Sequence, residues 1–252
     1  FHFLRFYIYI LTLNLIMKKN IWHKIFNKTD FFYNKGSKKI YAKRFKNYSY
    51  KSFMLSSIIY PNLTFKKFLD IVKFQVKLLK IKNNSSLLDF GSGNGSFLYY
   101  YQKRYNLKNN VSFEISKPLI NFQKKLLKNT IFYKTNHKNF IFKKIKKKNI
   151  VDYSLCNSVF QYFLNEKYAF CIIESLIKLT KKRILIYDIK NFDTKNLYSE
   201  KVRIRQKLTS KEFKIKYKNT PIRFYKKKFF KKVLKKLQKK YLLEYKFFKL
   251  PK

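Results

Sequence analysis

The chain has 252 residues, enough for one large domain or two small ones, and its 46 % hydrophobic and 20 % aromatic content can fill a sizeable core, which excludes disorder for most of its length. Two cysteines, Cys156 and Cys171, exclude a disulfide framework and a multi-cysteine zinc site, and they point to a reducing, cytoplasmic compartment. A net charge of +48 invites a nucleic-acid partner, yet only seven of the 60 basic residues are arginine, and lysine runs through the whole chain beside abundant Phe, Ile, Tyr and Asn and two alanines. That pattern marks a coding sequence drifting toward A and T. Solvated lysine faces are therefore the first reading of the charge and a functional basic surface the second.

Residues Phe1 to Ile16 form an apolar stretch broken by His2, Arg5 and Asn14. It is shorter than the roughly 20 residues that cross a bilayer, and no small-residue cleavage site follows it. Met17-Lys18-Lys19-Asn20 looks like a natural start, so residues 1–16 are read as non-native upstream sequence translated in frame, with a short apolar anchor at a membrane interface as the alternative. Residues 17–80 form an N-terminal cap and helix. Trp22 to Tyr60 is aromatic, basic and weakly periodic, whereas Phe65, Phe68, Leu69, Val72, Val76 and Leu79 recur at helical spacing and predict a helix over Thr64 to Leu79, ended by Lys82-Asn83-Asn84.

Residues 81–252 alternate between strand and helix. Strands are predicted at Ser86 to Phe90, Val111 to Ile115, Thr130 to Tyr133, Ile150 to Cys156 and Arg183 to Asp188. Helices are predicted at Ser96 to Tyr105, from Ser116-Lys117-Pro118 through Leu127, and at Lys167 to Leu179, with the lysine-rich run Lys143 to Lys148 as a solvated helix face or loop. Such alternation predicts an α/β fold: a doubly wound, mostly parallel sheet with helices on both faces and right-handed crossovers. After Asp188 the pattern loosens until Lys227 to Lys240, where Phe229, Phe230, Val233, Leu234 and Leu237 mark one face of a basic helix that covers the sheet or, as the alternative, lies on a membrane. Tyr241 to Phe248 is strand-like.

Three of the chain's four glycines, Gly91, Gly93 and Gly95, sit in Leu87-Leu88-Asp89-Phe90-Gly91-Ser92-Gly93-Asn94-Gly95 between a strand and a helix. In a chain so poor in glycine, the cluster needs a backbone reason: a ligand approaching the main chain at a helix N-terminus. A dinucleotide site would want G-x-G-x-x-G, but Ser96 stands at the third position.

An acidic residue followed by G-x-G-x-G after an apolar strand resembles the first motif of the class I S-adenosylmethionine-dependent methyltransferases. The resemblance spans roughly Ile21 to Phe248, although only this motif is sharp. It implies a Rossmann-like methyltransferase fold with S-adenosyl-L-methionine as cofactor, held by Asp89, Gly91, Ser92, Gly93, Asn94, Gly95, Glu114 and Ile115. Glu114 closes the second strand, where the family keeps an acid that accepts from both ribose hydroxyls, and a carboxylate can serve two vicinal donors at once. Cys156, Asn157, Ser158 and Gln161 fall where the family's fourth strand and the loop after it pass the methionine part. Asn136 is the candidate on the adenine side, where the acidic residue often found is missing. Family sheets usually end in two strands, the last antiparallel, whereas this sequence offers one, so the last antiparallel strand is expected to be missing and the edge near Ile184 to Tyr187 to lie bare.

With an activated methyl group, a general base is optional, and no catalytic residue is assigned. There is no paired-carboxylate, Ser/His/Asp or metal-ligand constellation. The Asn/Asp-Pro-Pro-aromatic turn of exocyclic amine methylases is absent, since Ser158-Val159-Phe160 follows Asn157. The resemblance therefore implies a methyltransferase acting on a small molecule, with an RNA or protein methyltransferase using the basic surface, or a degenerate non-catalytic fold, as the alternatives.

Overall fold

Leu87, Leu88, Asp89 and Phe90 are all buried, as expected of a strand covered on both faces. The computed structural model describes residues 5–8, 65–135, 150–217 and 222–249. In chain order the elements are β1 (Arg5–Ile8), α1 (Phe65–Leu79), β2 (Leu87–Phe90), α2 (Ser96–Tyr105), β3 (Asn110–Glu114), α3 (Lys117–Lys124), β4 (Thr130–Lys134), β5 (Val151–Asn157), α4 (Glu166–Leu179), β6 (Thr180–Lys190), α5 (Lys195–Arg205), α6 (Ser210–Tyr217), α7 (Lys227–Gln238) and β7 (Phe247–Lys249).

The seven-stranded sheet has the order β4-β3-β2-β5-β6-β1-β7, and its first five strands are parallel. The alternation of residues along each strand divides the core between two faces. Leu87 and Leu155 turn toward α1 and α2, where they meet Phe68, Val72, Leu98 and Tyr101. Leu88, Cys156 and Ile186 turn toward α4 and α7, meeting Ile172, Leu176, Phe230 and Leu234. The apolar face of α7 is thus inside the protein, as a sheet-covering helix requires. None of the described helices is long and apolar enough to cross a membrane.

The parallel order follows the predicted alternation, but the far edge does not. The C-terminal part contributes one strand, β7, as expected. From Ile186 to Lys190 the edge of β6 is nonetheless paired, because β1 runs antiparallel beside it, with Phe6 opposite Ile189 and Ile8 opposite Ile186. On its other side β1 pairs antiparallel with β7, with Tyr7 opposite Phe248. The antiparallel position is filled by a segment that the sequence reading set aside as upstream. Residues 17–64 of the expected cap and the run Lys143 to Lys148 lie outside the described residues.

Local signals account for the helix starts. The Ser116 hydroxyl accepts from Leu119 N at 3.5 Å, with proline in the first turn of α3, and Asn165 Oδ1 accepts from Tyr168 N at 2.9 Å to open α4. Helix α6, not among the predicted elements, opens on a capping box over Thr209-Ser210-Lys211-Glu212: the Thr209 amide and hydroxyl donate to Glu212 Oε2 at 2.7 and 2.8 Å, and Glu212 N donates back to the Thr209 hydroxyl at 3.2 Å.

Candidate functional site

The chain leaves β2 for β3 on one side of the sheet, and β5 lies against β2 on the other. In a doubly wound sheet such a reversal leaves a crevice at the carboxyl ends of the strands, here β2, β3 and β5, the usual ligand position. The loop Gly91 to Gly95 lines it. The amides of Gly91 and Ser92 both donate to Phe113 O, at 2.8 and 3.1 Å, which folds the loop back over β3.

Two glycines there are required for different reasons. Gly91 has φ +72°, and a Cβ on it would stand 2.4 Å from Val159 Cγ2, so the loop and the segment after β5 touch at a point with no room for a side chain. Gly93 has φ +57°, and a Cβ on it would meet nothing within 4 Å. Its neighbourhood is open, so its conformation and not crowding calls for glycine.

The loop is held from beneath by Gln123 of α3, which is fully buried. Its Nε2 donates to Gly93 O at 2.6 Å and to Ser92 Oγ at 2.8 Å, while its Oε1 accepts from the Ser112 hydroxyl at 2.6 Å. Asn94, also buried, accepts at Oδ1 from Ser96 N at 3.2 Å and from the Ser96 hydroxyl, which fixes the start of α2.

Glu114 ends β3 beside the loop. Its Oε2 accepts from Gly93 N at 2.7 Å, and its Oε1 accepts from Ile115 N at 2.7 Å and Ser116 N at 2.9 Å. Burial pushes its pKa up to about 7, against these three amides, which favour the charged form. Asp89 is 2 % exposed and hydrogen-bonds to no described residue through its side chain. Burial first, and then the charge of Glu114, raise its pKa to about 8. The polar support under the loop thus comes from Gln123 and Glu114, and Asp89 is a second carboxyl held beside them.

Across the crevice, β5 ends in Asn157, which is half-buried and accepts at Oδ1 from Gln75 Nε2 at 3.1 Å. Ser158 and Asp188, at the ends of adjacent strands, both have left-handed φ, +57° and +59°, and the Ser158 hydroxyl donates to Asp188 Oδ2 at 2.5 Å. Such backbone is uncommon outside glycine and gathers at functional sites. Lys190 Nζ stands 3.2 Å from Asp188 Oδ1, with both side chains buried, and 5.1 Å from the ring centre of Tyr198. Gln161 is buried, donates from Nε2 to Ser158 O at 2.6 Å, and finds no partner for Oε1 among the described residues.

The structure therefore gathers Asp89, Gly91, Ser92, Gly93, Asn94, Gly95, Glu114 and Ile115 on one wall, with Asn157 and Gln161 on the other. Cys156 faces the opposite way, fully buried in the core against α4, where burial raises its thiol pKa well above the usual value. Asn136 lies outside the described residues. Gln75, Gln123, Asp188 and Lys190 were not anticipated. Asp188 was open to the argument used for Glu114, since it is one of twelve acids and closes a strand.

Solved structures of similar shape include the plantazolicin methyltransferase BpumL in complex with SAH, aligned over 86 % of this chain and 76 % of its own at 19 % sequence identity and a TM-score of 0.50. The same protein with a pentazolic desmethylPZN analog and SAH aligns over the same shares at 21 % identity and a TM-score of 0.51. No protein-family model and no curated protein matches the chain. At these identities the likeness is one of fold: the chain has the class I S-adenosylmethionine-dependent methyltransferase fold.

Proposed function

We propose that this chain is an S-adenosylmethionine-dependent methyltransferase acting on a small-molecule acceptor. The observation that carries the reading is the pairing of an open, left-handed Gly93 with the Glu114 carboxylate 2.7 Å from its amide. A built Cβ at Gly93 finds empty space, so a ligand can lie against the backbone there, and a carboxylate beside that space suits a pair of vicinal hydroxyls. The residues fit the cofactor on both counts. That BpumL is seen with SAH on the same fold supports the reading.

Glu114 would accept from the ribose hydroxyls, Gly91 to Gly93 would admit the chain beyond them, and Asn157 would meet the far end. Gln123 keeps the loop in place without a ligand, which reduces the ordering cost on binding. S-adenosylmethionine, when bound, supplies a methyl group already activated by its sulfonium. What remains for the protein is alignment and exclusion of water. The wall formed by Ser158, Gln161, Asp188 and Lys190 adjoins the loop through the contact between Val159 and Gly91 and is where an acceptor would be oriented.

Among the described residues a basic groove lies away from the loop, which weakens the polyanion alternative. A groove of about 680 Å³ is lined by Lys77, Lys80, Lys181, Lys182, Arg183 and Lys246. It opens at the start of β6, whereas Asp188 and the glycine loop lie at the carboxyl ends of their strands. RNA seated there would lie at the opposite end of the strands from the loop. The test is transfer of a radiolabelled methyl group from S-adenosylmethionine to separate metabolite, RNA and protein pools. Label entering only the metabolite pool is the expected result, and label entering RNA or protein alone would replace this reading.

A further inference from the structure

Gln75 stands on α1, 82 residues before Asn157 in the chain, and both ends of its amide are engaged. Nε2 donates to Asn157 Oδ1 at 3.1 Å, and Oε1 accepts from the Tyr101 hydroxyl at 2.5 Å. Gln75 and Tyr101 are 0 % exposed, whereas Asn157 is half-buried at the crevice. The direction of this chain is set by Tyr101. The buried phenol must donate its proton, and Gln75 Oε1 is the acceptor it meets. Reversing both amides would also leave the buried phenolic proton without an acceptor among the described residues, a costly arrangement.

Asn157 Oδ1 is therefore committed inward. Its Nδ2 carries two donors and bonds to no described residue, so a ligand reaching Asn157 meets a donor. Strands β3, β2 and β5 are consecutive neighbours, which sets Glu114, the glycine loop and Asn157 in a row. A cofactor with its ribose at Glu114 and its length across the loop arrives at Asn157 with its amino-acid end. That end carries a carboxylate, which accepts, and an ammonium, which only donates.

We infer that Gln75 is a positioning residue that fixes the polarity of Asn157, so that the site selects the carboxylate of the cofactor's amino-acid end. The inference rests on the methyltransferase reading above. It assigns a specificity role to a helix that precedes the strand-and-helix alternation and carries no motif.

Calorimetry on the full chain with three probes tests it: S-adenosylmethionine, its decarboxylated analogue, and 5′-methylthioadenosine, which lacks the amino-acid end. The wild type is expected to bind S-adenosylmethionine at least about tenfold more tightly than the decarboxylated analogue, the lower bound for one hydrogen bond to a charged group. Gln75→Glu, titrated at about pH 9 so that the buried carboxyl is ionised, offers only acceptors to Tyr101 and Asn157, which turns the Asn157 oxygen outward, and is expected to bring that ratio below about threefold. Gln75→Met, close in volume and without donors, frees Asn157 to present either end and is expected to give an intermediate ratio. Binding of 5′-methylthioadenosine should stay within about twofold in both variants, because Glu114 and the loop are untouched. A wild-type ratio near one, or a tenfold ratio that survives in whichever Gln75 variant folds, overturns the inference while leaving the methyltransferase reading in place. Failure of the wild type to bind either S-adenosylmethionine or 5′-methylthioadenosine overturns both.

Discussion

The amide of Gly93 donates to Glu114 Oε2 at 2.7 Å, so the tip of the glycine loop and the carboxylate at the end of the next strand hold each other. An incoming ribose must share that carboxylate or take the amide's place on it. Glu114→Gln keeps the size but puts donors where Gly93, Ile115 and Ser116 already donate. Cofactor affinity is expected to fall by about 1.5 to 3 kcal/mol, the range for hydrogen bonds to a charged group. Titration calorimetry measures this directly, and an unchanged dissociation constant would remove Glu114 from the site.

The two carboxyls at the crevice give stability a pH dependence of known sign. Asp89 is raised from 3.8 to about 8 and Glu114 from 4.5 to about 7, so the folded chain holds protons that the unfolded chain has released. Their contribution is full below about pH 4 and is lost as the pH climbs through 7 and 8. Melting temperature is expected to decline from pH 5 to pH 9 and to decline less in Asp89→Asn, which cannot ionise. Cofactor binding should run the other way and tighten as the pH rises through about 7, where Glu114 becomes an acceptor at both oxygens. A melting temperature that rises over this range in the wild type would contradict the assignment.

Alanine at two glycines separates folding from binding. At Gly91 the added methyl meets Val159 at 2.4 Å, and the variant is expected to lose roughly 1 to 3 kcal/mol of stability to overpacking and about 1 to 2 kcal/mol more to the left-handed backbone. At Gly93 it meets nothing within 4 Å, so the cost is the left-handed backbone alone, roughly 1 to 2 kcal/mol. Gly93→Ala should fold, as judged by circular dichroism, and yet lose cofactor affinity by more than about tenfold, because its methyl occupies ligand space. Wild-type affinity in Gly93→Ala would place the ligand elsewhere.

Strand β1 closes one edge of β6 and one edge of β7. Beginning the chain at Met17 would strip both and leave buried strand residues such as Ile186 and Ile189 next to unpaired backbone. Light scattering is expected to show oligomers or aggregates for that shorter chain and a smaller particle for the full one. Equal behaviour of the two would mean that β1 adds nothing to the closure of the sheet.

The parallel part of the fold was legible because each strand is a short apolar run between turn residues, and because a chain with four glycines spends three of them at one turn. Glu114 was legible for its scarcity and its place at a strand end. Gln75 and Gln123 were not, since each is an ordinary polar residue within a helix whose value comes from partners 82 and 30 residues away. Strand β1 was hidden for a similar reason: four residues in an apolar stretch carry no pairing signal until β6 and β7 are in place. Asp188 and Ser158 show their left-handed backbone only once folded, because their sequences lack the glycine that usually announces it.

Calorimetric titration of the full chain with S-adenosylmethionine tests the central claim most directly. One saturable site is expected, with a dissociation constant between about 1 µM and 1 mM, the usual span for enzyme substrates. The heat should be sharply reduced in both Glu114→Gln and Gly93→Ala, and S-adenosylhomocysteine should compete for the site. Absence of saturable heat at millimolar cofactor, or equal binding by the wild type and both variants, would contradict it.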